Sequence, residues 1–260
     1  MEEKRSSLSY MLYCVIRWII KLVYPKITVE GLDHLPDEPC IIVGNHSKMH
    51  GPIAMEIYFP GKRKIWCAHQ MLYLREVPAY TFEDFWSKKP RWTRWYFHLL
   101  SYFIAPLSVA LFGNAHVIPV FRDNRVITTF KKTVTALSEG ENVIVFPECY
   151  TPHNHIVYQF QERFTDVAKL YYKRTGKAVS FVPMYIAPAL KKVYLGKPLA
   201  FDPDEEMETQ RQKICNYLMD EITQIAVNLP PHRVVQYPNI TKKYYPMNTE
   251  EVDKNEKAGS

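Results

Sequence analysis

Three short blocks in this chain combine residue types that can move a proton or hold an anion. They are Asn45-His46-Ser47, Val120-Phe121-Arg122 and Phe146-Pro147-Glu148. Each follows an apolar run that reads as a strand (CIIVG at 40–44, AHVIP at 115–119, NVIV at 142–145), and an α/β sheet presents its ligands at such strand ends. A neutral imidazole placed there can take the proton of a hydroxyl as that oxygen attacks a carbonyl, which makes His46 the candidate base. Arg122 offers a planar fork of donors that suits a pair of phosphate oxygens, or else a surface ion pair with Asp123 or a nearby acid. Cys149, beside Glu148, reads either as a nucleophile or, lacking a base partner, as a small buried thiol. His46 and His50 stand at i, i+4, and His153 and His155 follow the third block, so their convergence would make a zinc site of hydrolytic type. That signal is weak, because HxxxH here lacks the adjacent Glu of a metalloprotease helix. His69 and His116 read as structural.

Taken in order, the blocks resemble those of the PlsC-like 1-acylglycerol-3-phosphate acyltransferases, over about residues 28–200. Asn45-His46 resembles the start of the NHxxxxD block, and Val117 to Arg122 the second block, which ends in an Arg that binds the acceptor phosphate. Phe146-Pro147-Glu148 resembles the start of FPEGTRS, and Val182-Pro183-Met184-Tyr185-Ile186 is similar to the VPVxI strand that follows. The resemblance implies a membrane-associated enzyme that moves a fatty acyl group from a thioester to a hydroxyl of a phosphorylated glycerolipid acceptor such as lysophosphatidate. The donor would be acyl-CoA or acyl carrier protein, with no metal or bound organic cofactor. His46 is the catalytic base on this resemblance, Glu148 is taken with it as the candidate catalytic carboxylate, and Asn45, Ser47, Arg122, Pro147 and Cys149 are the candidate substrate contacts.

Two blocks depart from the family pattern. Gly51 stands where the first block has its Asp, and Cys149-Tyr150-Thr151-Pro152 stands where the third has Gly-Thr-Arg-Ser. In a comparable triad, loss of the carboxylate that orients the imidazole costs roughly 10⁴ in rate. Three accounts are compatible with the departures. Glu148 or Glu56 supports His46 in place of the Asp, the acceptor differs from glycerol phosphate, or the chain is a lipid-binding homologue that has lost the reaction.

Two apolar segments bear on where such chemistry would occur. Leu8 to Tyr24 is apolar almost all round a helix, with Arg17 and Lys21 one turn apart on one face, and it reads as an interfacial helix with cations near anionic headgroups. A secretory signal is disfavoured, because MEEKRSS carries no net positive charge and no A-x-A-like site follows. Trp95 to Phe112 has no Asp, Glu, Lys or Arg and reaches the length of about 18 residues at which a membrane span becomes a candidate. Pro106 is expected to kink it. Before it, Trp86, Trp92 and Trp95 interleave with Lys88, Lys89, Arg91 and Arg94, a headgroup-boundary mixture. Base stacking would use the same residue types, but the apolar run behind them favours lipid over nucleic acid. One full crossing would set His46 and Glu148 on opposite sides of a bilayer, so a shared site requires monotopic or peripheral attachment, expected on the cytoplasmic face.

Composition agrees with a folded, non-polytopic protein. Of 260 residues, 47% are hydrophobic and 23% charged, and mean hydropathy is -0.25. The formal charge of +6 suits an anionic partner without choosing one. Five scattered cysteines without a CxxC pair suggest neither disulfides nor a thiolate metal site.

These blocks need a scaffold, and alternating β-branched runs and amphipathic stretches predict an α/β fold with a mostly parallel mixed sheet flanked by helices. Predicted helices have Val126, Ile127, Phe130, Val134 and Leu137 on one face after an Asp123 or Asn124 cap, and run from about Gln161 to Arg174. Asp202-Pro203-Asp204-Glu205 reads as the start of another, with Ile214, Tyr217, Leu218, Ile222 and Ile225 as its stripe. The expected organisation is an interfacial helix (1–27), an acyltransferase-like domain (28–228) with an apolar insertion (86–112), and a tail (229–260) whose last fifteen or so residues are polar enough to lack order.

Overall fold

Runs such as CIIVG and SFVPMYIA are apolar at successive positions, so a strand built from them is satisfied only if both faces are covered. The computed structural model, which describes residues 7–87 and 89–250, places them at the centre of a sheet. The elements from the N-terminus are α1 (Ser7–Val23), β1 (Thr28–Glu30), β2 (Ile41–Gly44), α2 (His50–Tyr58) and β3 (Arg63–Ala68). Next come α3 (Val77–Thr81), α4 (Arg94–Asn114), β4 (Val117–Val120), α5 (Val126–Ser138), β5 (Asn142–Val145), β6 (Glu148–Pro152) and β7 (Tyr158–Phe160). The chain continues through α6 (Asp166–Thr175), β8 (Ser180–Ala187), β9 (Lys192–Leu195), β10 (Leu199–Ala200) and α7 (Met207–Val227).

Within the described residues the chain forms two units. One runs up to Pro25 and includes Lys64–Lys132, and the other comprises Lys26–Arg63 and the chain from Thr133 onward. In the second unit the strands run in the order β1-β9-β8-β2-β5, with β10 added to β8. β1 with β9, β8 with β2 and β2 with β5 are parallel, whereas β9 and β10 run antiparallel to β8. Ile42 lies between Val182 and Ile144, and all three are buried. α7 packs on β8 through Ile214, Leu218, Met219 and Ile222. β6 and β7 form a separate hairpin that carries Glu148. The fold is thus the mixed, mostly parallel α/β sheet with flanking helices that the patterning predicts.

In the first unit β3 and β4 are parallel neighbours, with Ile65 opposite Val117 and Ala68 opposite Val120. α4 lies between them in sequence and packs against both α1 and α3. Pro106 sits inside α4, and the helix continues through it to Asn114.

Three local expectations are corrected. The helix expected to begin at Asp202 begins at Met207. Asp202 Oδ1 instead accepts the Asp204 N–H at 3.0 Å, closing a side-chain turn, and the Asp202 N–H reaches Gln210 Oε1 at 3.4 Å. Of the stripe expected on α5, Phe130, Val134 and Leu137 are buried, but Val126 and Ile127 are exposed, and Thr129 and Thr133 are buried in their stead. The first turn of what was expected as one helix from Gln161 is a separate 3₁₀ turn, Glu162–Thr165, ahead of α6. α6 ends where expected, at Gly176 with φ 71°.

The polar chain after Pro230 folds back on itself. The Val234 N–H donates to Pro246 O at 2.9 Å, Arg233 bridges to Met247, and buried Asn248 accepts the His232 N–H at 2.7 Å through its side chain. The rest of the stretch expected to lack order, 251–260, lies outside the described residues, as does Lys88.

Candidate active site

The turn after β2 is held by its own polar side chains. Asn45 Oδ1 accepts the Ile186 N–H at 2.7 Å, and its Nδ2 donates to Ile186 O at 3.2 Å and to Ser47 Oγ at 2.9 Å. The amide thereby continues the β2–β8 ladder one position beyond the last strand residue. Ser47 Oγ donates to the same carbonyl at 3.3 Å. Both residues are buried, so the two positions expected at substrate are engaged in shaping the loop. Ser47 and Lys48 take left-handed φ values of 45° and 56°, a conformation that costs a residue with a Cβ and persists only when its surroundings enforce it. The bend lets the Gly51 N–H reach His46 O at 3.3 Å and starts α2.

Gly51 is where the family pattern has its Asp, and the structure has no room for one. A Cβ there would lie 2.6 Å from His46 O and 3.0 Å from side-chain atoms of Ile186 and Phe146. The carboxylate is therefore absent together with the space it would occupy.

The His46 ring emerges half-buried at the end of β2, edge-on to Phe146 (ring centroids 5.3 Å apart) and to Tyr237 (6.1 Å). Burial lowers its pKa below the ordinary 6.5, and hydrogen bonds to the backbone of Lys48 and of His46 itself act against the shift. The imidazole is thus neutral at pH 7 and partly open to an approaching group, the state a general base requires.

Glu148, expected to support the imidazole, supports the backbone instead. Its Oε2 accepts the His46 N–H at 2.6 Å and its Oε1 accepts the Tyr158 N–H at 3.0 Å. The side chain is 2% exposed, and burial raises its pKa to about 7 against the lowering effect of those two N–H donors. Glu148 is accordingly a positioning residue that ties the β6–β7 hairpin to the His46 turn. Pro147 is buried, with its carbonyl accepting the Gln161 N–H at 2.9 Å, and Cys149 is half-buried in β6. Glu56, the other expected support, has Arg63 3.8 Å away.

Arg122 is exposed just beyond β4 in the other unit. The ion pair foreseen between it and Asp123 is made by Arg125, at 2.7 Å, which holds the Asp123 carboxyl at about 2. The strand end before Arg122 is pinned by Thr129, whose hydroxyl donates to Pro119 O at 2.8 Å and accepts the Phe121 N–H at 3.1 Å.

The zinc alternative is corrected: among the described residues no group of three His, Cys, Asp or Glu is placed to hold a metal. His153 faces Asp220 at 3.4 Å and Gln159 at 3.3 Å, while His155 Nε2 lies 3.4 Å from Asn248 O.

Tyr237 is the site residue that sequence reasoning missed. Its ring lies tilted beside those of Tyr150 (centroids 5.1 Å apart) and Tyr158 (6.3 Å) and edge-on to that of His46. Its only signal was the Tyr- and Pro-rich composition after Pro230.

No family model and no curated protein matches this chain. Among solved structures, it is similar to the crystal structure of the 1-acyl-sn-glycerophosphate (LPA) acyltransferase, PlsC, from Thermotoga maritima, with a TM-score of 0.42 and 16% identity over 85% of this chain and 83% of that one.

Proposed function

We propose that the protein is a membrane-attached O-acyltransferase that transfers a fatty acyl group from acyl-CoA or acyl carrier protein to a hydroxyl of a phosphorylated glycerolipid. The supporting observation is His46: a neutral, partly open imidazole at a strand end, its backbone clamped by a buried carboxylate. In the proposed step the acceptor O–H gives its proton to the imidazole as its oxygen bonds to the thioester carbonyl carbon. The C–S bond then breaks, and the imidazolium returns the proton to the departing sulfur. Arg122 is the expected contact for acceptor phosphate. The ring is oriented by backbone and aromatic neighbours, since no carboxylate fits at position 51.

Attachment is supported by two helices with apolar residues facing outward. On α1 these include Met11, Val15, Trp18 and Leu22, and on α4 Trp95, Leu99, Tyr102 and Phe103. The stretch Arg91–Asn114 is long and apolar enough to cross a membrane, but only 17% of its apolar window is buried, unlike a core helix. β3 before it and β4 after it are paired, so both ends of the intervening chain return to one place. That pairing favours an interfacial or re-entrant α4 over a single crossing, with the cytoplasmic face as the proposed side.

A panel of labelled acyl thioesters offered with lysophosphatidate, glycerol phosphate and other lysolipids tests the reading. Wild type should form product, and His46→Ala should lose at least about a hundredfold in rate with its melting temperature retained. The acid limb of the wild-type rate profile should fall below pH 6.5, because burial lowers the pKa of the base. The closed position at Gly51 favours a second reading, a lipid-binding homologue without activity. Lipid binding with no product from any pairing would establish it.

A further inference from the structure

We propose that the cavity between the Lys48–His50 turn and the 233–245 segment is a phosphate-monoester site. The cavity measures about 310 Å³, and Lys48, Arg233 and Lys242 contribute three cations to its lining, with His50 and Tyr245 beside them. None of the residues lining it is Asp or Glu. That volume lies at the lower end of ligand-binding pockets and suits a phosphate with a small polyol attached.

The partners of these cations hold them without neutralising them. Lys48 Nζ donates to Asn239 Oδ1 at 3.3 Å and to Ile240 O at 3.2 Å, and it stands 5.1 Å from the centre of the Tyr245 ring. Arg233 Nη1 donates to the carbonyls of Lys242 (3.0 Å) and Lys243 (3.3 Å). Lys48 is delivered to this position by a left-handed backbone, φ 56°. The crowding of charge registers on His50, whose pKa is lowered first by burial and then by the ammonium groups of Lys242 and Lys48. Like charges gathered around one concavity repel, and an anion of charge near −2 relieves them all at once.

The cavity adjoins the candidate base through the chain on both sides. Lys48 follows His46 by two residues, and Asn239, which holds Lys48, follows Tyr237 by two residues. Tyr237 in turn lies with its ring 6.1 Å from that of His46. A phosphate bound there would anchor either the ribose phosphate of a CoA donor, leaving the acceptor phosphate to Arg122, or a glycerol phosphate acceptor in place of Arg122. That role rests on the acyl-transfer reading, whereas the binding does not.

Calorimetry on the full chain in detergent, with glycerol 3-phosphate, CoA and dephospho-CoA as separate titrants, tests the site. Saturable binding is expected for at least one phosphate monoester. Binding of glycerol 3-phosphate identifies the acceptor as the source, and binding of CoA but not dephospho-CoA identifies the donor. Lys242→Met and Arg233→Met should each weaken binding about tenfold or more, as expected for loss of one charge-assisted contact. Lys177→Met should leave it unchanged, because Lys177 is paired with Glu38 at the surface. Lys242 is exposed, so its variant is not expected to fail by misfolding. No saturable binding of glycerol 3-phosphate together with CoA binding no tighter than dephospho-CoA, or unchanged affinity in both cavity variants, overturns the proposal. Loss of calorimetric binding in both variants with transfer at unchanged KM would keep the site and remove its role in the reaction. Binding without transfer would keep the site and remove the reaction.

Discussion

Around His46, the protein reaches a neutral, oriented imidazole by crowding. A carboxylate in its place would have to enter at residue 51, where a single Cβ already meets a backbone oxygen at 2.6 Å. Gly51→Asp is therefore expected to destabilise the fold by about 1–3 kcal/mol, the usual cost of overpacking, and not to speed acyl transfer. The midpoint of urea unfolding and the acyl-transfer rate, measured together, check this; a variant of native stability with faster transfer would mean that the turn opens readily. The strand-end positions of His46, Glu148 and Arg122 were legible because a polar residue soon after an apolar run is a local signal, whereas the role of Glu148 was not. Tyr237 was not, since an aromatic in a Pro-rich segment becomes a neighbour of His46 only when the segment folds back.

Elements carried their signals unevenly. α1 and α4 were visible from apolar length alone, and their outward residues remain without protein cover. Burying one large apolar side chain is worth about 1.5–3 kcal/mol, so replacing Trp95 and Phe103 together with Glu should reduce liposome flotation by at least about tenfold while leaving the unfolding midpoint nearly unchanged. Flotation equal to wild type would point to some other occupant for this face. Salt alone should not release the wild-type protein from membranes if the proposed attachment runs through these apolar faces. The helix signal at Asp202-Pro203 misled for a physical reason: the Asp side chain that caps a helix also closes a turn, and Gln210, one residue of the later helix, engages the backbone of Asp202. On α5, Thr129 is buried at the expense of Val126 and Ile127 because its hydroxyl bonds both Pro119 and Phe121.

At the scale of the whole molecule, one buried carboxyl ties stability to pH. Glu148 has a folded pKa near 7, raised from 4.5, so between those values the folded protein holds a proton that the unfolded chain releases. Stability should accordingly fall as pH rises from about 4.5 to 7 and level off above it, by up to about 3 kcal/mol from this group. Urea midpoints at pH 5 and pH 8 check it, with Glu148→Gln expected to flatten the difference and to lower stability at pH 5, since an amide nitrogen cannot accept one of the two backbone N–H groups. A pH dependence of the same size in the variant would assign the effect to other groups. The sequence by itself determined the α/β alternation, the order of the three blocks along the chain and the two outward apolar helices, because strand runs, helix periodicity and unbroken apolar length are properties of neighbouring residues. Only the tertiary structure decided that Glu148 serves the His46 backbone instead of its ring, that position 51 is closed, that the described histidines form no metal-holding group of three, and that Lys48, Arg233 and Lys242 share one cavity. Each of those facts depends on contacts between residues far apart in the chain, which local pattern does not encode.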